Sequence, residues 1–199
     1  MELDAGLLAG LQQAASDPRQ MLRGVPVWLP NDHRPPPPAT PAQVRDAERR
    51  LGFRLPVAVR QVFSLVANGG FGPGYGLLGL EGGATDDQGA TAVDSYAKRR
   101  SWNGQQGWYW PERLLPICNW GCAIYSCVSC ERAGNLRVIR YDPNRGSWMQ
   151  FQDEGRNFVQ WLRAWLDDAN LWLIEEPDDE DSEAARSLDQ RLGQLHLFR

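Results

Sequence analysis

The stretch LPICNWGCAIYSCVSCERAG, residues 115–134, holds all four cysteines of the 199-residue chain: Cys118, Cys122, Cys127 and Cys130. Their spacing, C-x3-C-x4-C-x2-C, raises three readings: a zinc site, a redox centre, or the interior of a sheet. Structural zinc sites pair two short knuckles across a longer loop so that four ligands converge. Here Ala123-Ile124-Tyr125-Ser126-Cys127-Val128 has strand composition. On a strand spanning 122–130, side-chain alternation sends Cys122 and Cys130 to one face and Cys127 to the other. Cysteine also packs as a small buried hydrophobe. Cys127-x2-Cys130 lacks the strand-then-helix setting of a thioredoxin-type site. The favoured reading is two strands at the centre of a sheet, joined at Asn119-Trp120-Gly121, with no metal and no cofactor.

The rest of the chain fills in around that pair. Leu136–Tyr141 reads as a third strand, reached through a turn at 133–135. Residues 147–152 alternate and read as a fourth, and Gly74–Leu80 as a short separate strand. Helical spacing recurs at Leu3, Leu7, Leu8, Leu11, Ala14 and Ala15, with Pro18 at or beyond the end. Thr40 and Pro41 are a cap and first position for a helix carrying Val44, Ala47 and Leu51, which Gly52 stops. A second helix restarts at Leu55-Pro56 with Val59, Val62, Phe63 and Val66 inward, and ends at Asn68-Gly69-Gly70. Thr91 to about Arg100 is a further helix. Phe158, Trp161, Leu162, Trp165, Leu166 and Ala169 keep the strongest helical spacing in the chain. Helices, then closely spaced strands, then a helix predict an α+β fold, with a mostly antiparallel sheet flanked by helices.

Composition excludes some functions. Net charge is −4, and Glu175–Glu183 carries seven acids without a base. A nucleic-acid binder usually shows a basic face, so none is expected. No apolar run approaches the ~20 residues of a membrane span, and the N-terminus lacks a basic-then-apolar leader pattern. A cytoplasmic, membrane-free protein is the expectation. The two histidines, His33 and His196, sit beside no plausible nucleophile. The glycine-rich run 70–76 has no following Lys-Ser or Lys-Thr and is not a phosphate loop. Asp86-Asp87 and Asp167-Asp168 are adjacent pairs rather than facing carboxylates, so they do not describe a glycosidase. Residues 31–41, with four consecutive prolines, read as an extended linker or strap. Nothing here calls for an enzyme. What stands out is a loop dense in aromatics, Trp102 and Trp108-Tyr109-Trp110, which suits either recognition or core cover.

Several of these features occur in one order. Glu48, Leu51-Gly52, Leu55-Pro56 and Asn68-Gly69-Gly70, then Pro116-Ile117 with a glycine and a second strand, then Leu136–Asp142 and the closing helix, resemble the SUKH superfamily. That family includes the yeast SMI/KNR cell-wall regulators. The resemblance covers about residues 40–169, with the cysteines suggesting a bacterial subgroup. It divides the chain into an N-terminal helix and proline-rich strap (1–39), a SUKH-like domain (40–169) and an acidic extension (170–199). It implies an α+β fold and no shared catalytic residues. Many bacterial members resemble immunity proteins, which bind and neutralise a toxin, often a nuclease. The expectation is therefore a protein partner, a toxin domain, met by shape complementarity and by acidic side chains facing a basic toxin site. The candidate contacts are Asp86, Asp87, Trp102, Trp108, Tyr109 and Trp110. Two other readings stay open: a regulator or scaffold with an endogenous partner, and a zinc-binding protein.

Overall fold

A computed structural model describes residues 1–17, 20, 22, 34–105, 107–131, 135–145 and 150–173. Pro18, residues 31–33 of the strap, both histidines, most of the 133–135 turn, residues 147–149 and the acidic extension from 174 onward lie outside the described residues. No helix among those described is long and apolar enough to cross a membrane.

Local chemistry sets the helices. The first, α1 (Ala5–Ser16), is capped by Asp4, whose side chain accepts the Leu7 N–H, and it buries Leu7, Leu11, Ala14 and Ala15. α2 (Pro41–Leu51) opens on a reciprocal Thr40–Gln43 capping box with Pro41 in the first turn. It buries Val44, Ala47 and Leu51 and ends at Gly52, which takes a left-handed φ of 76°. The next helix, α3 (Val57–Gln61), passes straight into a π-helical turn at Val62–Val66, closed by Ala67 N–H donating to Val62 O. Val59, Val62, Phe63 and Val66 are all buried, as their spacing predicts. Only the local widening goes unforeseen.

Asn68-Gly69-Gly70 does more than stop that helix. The Asn68 side chain accepts from Leu80 N–H and donates to Glu81 O, pinning the return loop. Gly69 sits at φ 80°, where a Cβ would fall 2.5 Å from Leu77 O, so no other residue fits. The Asn68 N–H also reaches Pro36 O and Pro37 O, and Ala39 N–H reaches Phe63 O. The last prolines of the strap are thus fastened to the domain. α4 (Ala92–Ser101) opens on a Thr91–Asp94 capping box, and α5 (Phe158–Leu166) on one between Asn157 and Gln160.

Four strands, β1 (Leu114–Gly121), β2 (Ile124–Ser129), β3 (Arg137–Tyr141) and β4 (Phe151–Asn157), form an antiparallel sheet in the order β1-β2-β3-β4. The expected α+β class with an antiparallel sheet is the class observed. Several details differ. Gly74–Leu80 is not a strand. It makes one bridge, Leu77 to Cys118, flanked by Leu78 N–H to Ile117 O and Tyr75 N–H to Asn119 O. Its glycines at positive φ break any longer ladder. β1 and β2 do not join at Asn119-Trp120-Gly121. Gly121 pairs with Ile124, and the two-residue loop is Cys122-Ala123, both at positive φ (51° and 60°). That is a type I′ hairpin without the usual Asn-Gly. Of these two strands β2 is interior and β1 lies at the sheet's edge. Among the described residues the fourth strand runs over Phe151–Asn157, so the expected 147–152 strand is met at Phe151 and Gln152.

The core is one cluster built from every helix and from the sheet. α4 packs on β1; α5 packs on β3 and β4; α1 lies on α5 and on the π-helical turn. Both faces of β2 are covered. Ser126 faces Glu154 and the α5 side, while Tyr125 faces Arg99 of α4.

Candidate functional site

The aromatic loop and α4 build one cleft. Along α4, Ser95, Tyr96 and Arg99 share the inward face at helical spacing, while Lys98 is exposed at the cleft's edge. The chain then turns at Trp102, and Asn103 ties the loop down. Its side chain accepts the Trp110 N–H at 2.7 Å and donates to Trp110 O at 3.1 Å. The Trp108 indole donates to Arg99 O, and that of Trp110 to Leu114 O, both at 2.8 Å. The rings stack outward from the core. Trp110 and Trp108 are near parallel at 6.5 Å, and Trp102 meets Trp108 edge-on at 5.5 Å. Tyr125 and Tyr141, direct cross-strand partners on β2 and β3, complete the wall. They enclose a cleft of about 210 Å³, whose lining includes Asp86, Lys98, Arg99, Trp102 and Trp108.

Arg99 is the central charge. It is only 8% exposed, and its guanidinium carbon lies 4.3 Å from the Tyr125 ring, 5.2 Å from Trp110 and 5.7 Å from Tyr141. Nη1 donates to the Ser95 hydroxyl and carbonyl. Nε is buried with no partner among the described residues. At the rim, Asp86 accepts the Tyr125 hydroxyl at 3.1 Å and the N–H groups of Gln88 and Ala90 at 2.9 Å. Burial raises both phenols above their ordinary range, Tyr141 to about 12, with the nearby Arg99 opposing the shift. A guanidinium cannot act as a proton donor in turnover. The arrangement suits recognition of a group rather than proton transfer.

The sequence-predicted contacts divide as follows. Asp86, Trp102 and Trp108 line this cleft. Trp102 and Tyr109 are exposed (37% and 42%), and so is Asp87. Trp110 is fully buried; it offers no surface to a partner and instead props Trp108 from beneath. Arg99, Tyr125 and Tyr141 were not foreseen. The signal for the tyrosines was their pairing across a hairpin centred near residue 133. For Arg99 it was its place three and four residues beyond Tyr96 and Ser95.

The cysteines do not gather. Cys122 is exposed in the β1–β2 turn, not on a strand face as its position suggested. Cys118 pairs with Ser126 and so shares the α5 face, where Glu154 and Arg140 lie. Cys127 is buried near Arg99, and the buried Cys130 follows β2, its N–H bonded to Arg113 O. Among the described residues no group of three or more His, Cys, Asp or Glu is placed to hold a metal.

A second charged centre lies under α5. Arg140 Nε donates to Glu154 at 2.9 Å; Glu154 also accepts from Ser126 and, at 2.9 Å, from the Trp161 indole. Arg140 Nη2 reaches Leu171 O at 2.7 Å. Every group is answered, which marks it as a framework element.

The model of the SMI1 / KNR4 family (SUKH-1) matches residues 38–167, well over half the chain. No curated protein and no solved structure shows significant similarity to it.

Proposed function

The chain belongs to the SMI1 / KNR4 family (SUKH-1), and from that premise we propose that it is a non-enzymatic protein-binding module, an immunity protein that neutralises a cognate bacterial toxin. The observation that carries the binding reading is the aromatic cleft. Trp102 and Tyr109 are exposed beside a walled depression, on a loop held by its own hydrogen bonds. Rigid aromatic anchors of this kind lose little entropy on association and dominate interface energies. Asp87, exposed on the neighbouring loop, supplies the acidic contact that a basic toxin surface would meet. The interface is assigned to Asp86, Asp87, Trp102, Trp108 and Tyr109.

The test is co-expression with the product of the adjacent gene. The proposal expects the two to co-purify and the chain to restore growth of cells carrying the active toxin. Replacing Trp102 and Tyr109 by Ala should weaken the complex at least tenfold with the fold intact. Co-purification without protection would favour the regulator or scaffold reading; the absence of both would end the binding assignment.

A further inference from the structure

We infer that the cleft at the end of α4 is a carboxylate-binding site with Arg99 as its receptor, filled in the complex by a carboxylate of the protein partner. This rests on the protein-binding reading above and adds what the partner must present.

The argument begins with two buried arginines in one molecule. Arg140 is 5% exposed and Arg99 8%. Burying a guanidinium is costly unless an anion and hydrogen bonds answer it. Arg140 has both, through Glu154 and the carbonyls near the end of α5. Arg99 forms no ion pair with any described residue. Ring faces hold its charge without neutralising it, and its Nε donor is unanswered. Unlike Arg140, it lines an opening to solvent. Arg140 is answered by an anion and two carbonyls; Arg99 is held by Ser95 and by ring faces, lacks the anion, and borders an opening that can admit one.

The chemistry of the cleft narrows the ligand. A volume of about 210 Å³ holds several waters, room for a carboxylate and its short aliphatic stem but not for a large group. The aromatic walls suit that stem. A single planar guanidinium matches a planar carboxylate. The charges facing the cleft are Arg99, Lys98 and Asp86. Two cations against one carboxylate leave one net positive charge, and the Asp86 oxygens are already engaged by Tyr125, Gln88 and Ala90. That balances a monoanion; a phosphate dianion would exceed it and meet Asp86.

The test titrates the full chain with N-acetylglutamate methylamide and with its glutamine counterpart, following the Arg99 Nε–Hε signal by NMR. The expected result is a saturable shift with the glutamate probe and at least tenfold weaker response to the glutamine probe. N-acetylglutamine with a free α-carboxylate forms a third arm. Response to that probe alone keeps the site but assigns its ligand to a chain terminus rather than a side chain. Equal response to glutamate and glutamine, or none to any carboxylate, overturns the inference. Arg99→Lys keeps the charge and removes the planar fork, and should cost at least tenfold in affinity. If that variant does not fold, the probe comparison on the native chain decides alone. No partner enters these titrations, so their failure leaves the co-purification test standing, and the reverse holds.

Discussion

The ring of Tyr125 lies 4.3 Å from the guanidinium carbon of Arg99, and the hydroxyl of the same residue donates to Asp86 at 3.1 Å. One side chain thus supports the cation from its face and orders the rim from its edge. The two roles separate by mutation. Tyr125→Phe keeps the ring and should cost about 1 kcal/mol, the usual net worth of a hydrogen bond. Tyr125→Ala should cost about 3–5 kcal/mol through the cavity it leaves. Urea midpoints at unchanged slope would measure both.

Glu154 answers Arg140, Ser126 and Trp161 in a region closed to solvent. Glu154→Ala should destabilise by about 3–5 kcal/mol, because it strands a buried guanidinium. The paired change Arg140→Met with Glu154→Leu should recover most of that loss. A double variant no better than Glu154→Ala alone would show that the cost is packing rather than charge.

The thiols should sort by position. Cys122 is exposed and the other three are buried, so a thiol reagent should modify one group per native chain quickly and the rest only on unfolding. Burial raises the Cys130 thiol from 9.0 to about 12 and lifts Cys118 and Cys127 as well. Between pH 9 and 12 the unfolded chain therefore binds fewer protons than the folded one. Stability is complete below about pH 9 and falls as pH rises through that window, by up to about 1.4 kcal/mol per pH unit per thiol. Cys130→Ala should flatten the fall by one proton's share, read from denaturant midpoints across that range.

The first helix lies outside the residues the family model matches, yet it is part of the core. Leu3, Leu7 and Leu11 are buried, Asp4 pairs with Arg163 at 2.6 Å, and Leu3 N–H donates to Gln61. A chain starting at residue 38 loses that cover over α5 and should be less stable by about 4 kcal/mol or more, from three leucines at about 1.5–3 kcal/mol each. Thermal unfolding of the shortened chain checks this.

The parts of the fold visible in the sequence are those in which local chemistry and burial agree. Thr40-Pro41 and Gly52 predict α2 closely, and the Phe158–Ala169 stripe predicts α5, which ends at Leu166 with Ala169 exposed beyond it. The rest depends on tertiary context. Cys122-Ala123 adopts a turn that normally announces itself as Asn-Gly, so the sequence points to Asn119-Trp120-Gly121 instead. β4 is half-exposed and reads Gln152-Asp153-Glu154-Gly155-Arg156-Asn157, a polar run with no alternation to find. The π-helical turn leaves no periodic trace. At the cleft, the loop aromatics were conspicuous but their inward or outward sense was not, which is why Trp110 was grouped with the surface. Lys98-Arg99-Arg100 looks like a solvated basic run. Only the inward face set by Ser95 and Tyr96 separates Arg99 from its neighbours.

The strand order has a kinetic consequence. Each strand pairs with the one before it in sequence, so the sheet can zip from neighbouring hairpins at little loop-closure cost. The docking of α1 against α5 joins segments far apart in sequence, Asp4 with Arg163, 159 residues on. The meander can therefore form early while α1 and α5 dock last, and amide exchange should show α1 opening ahead of β2.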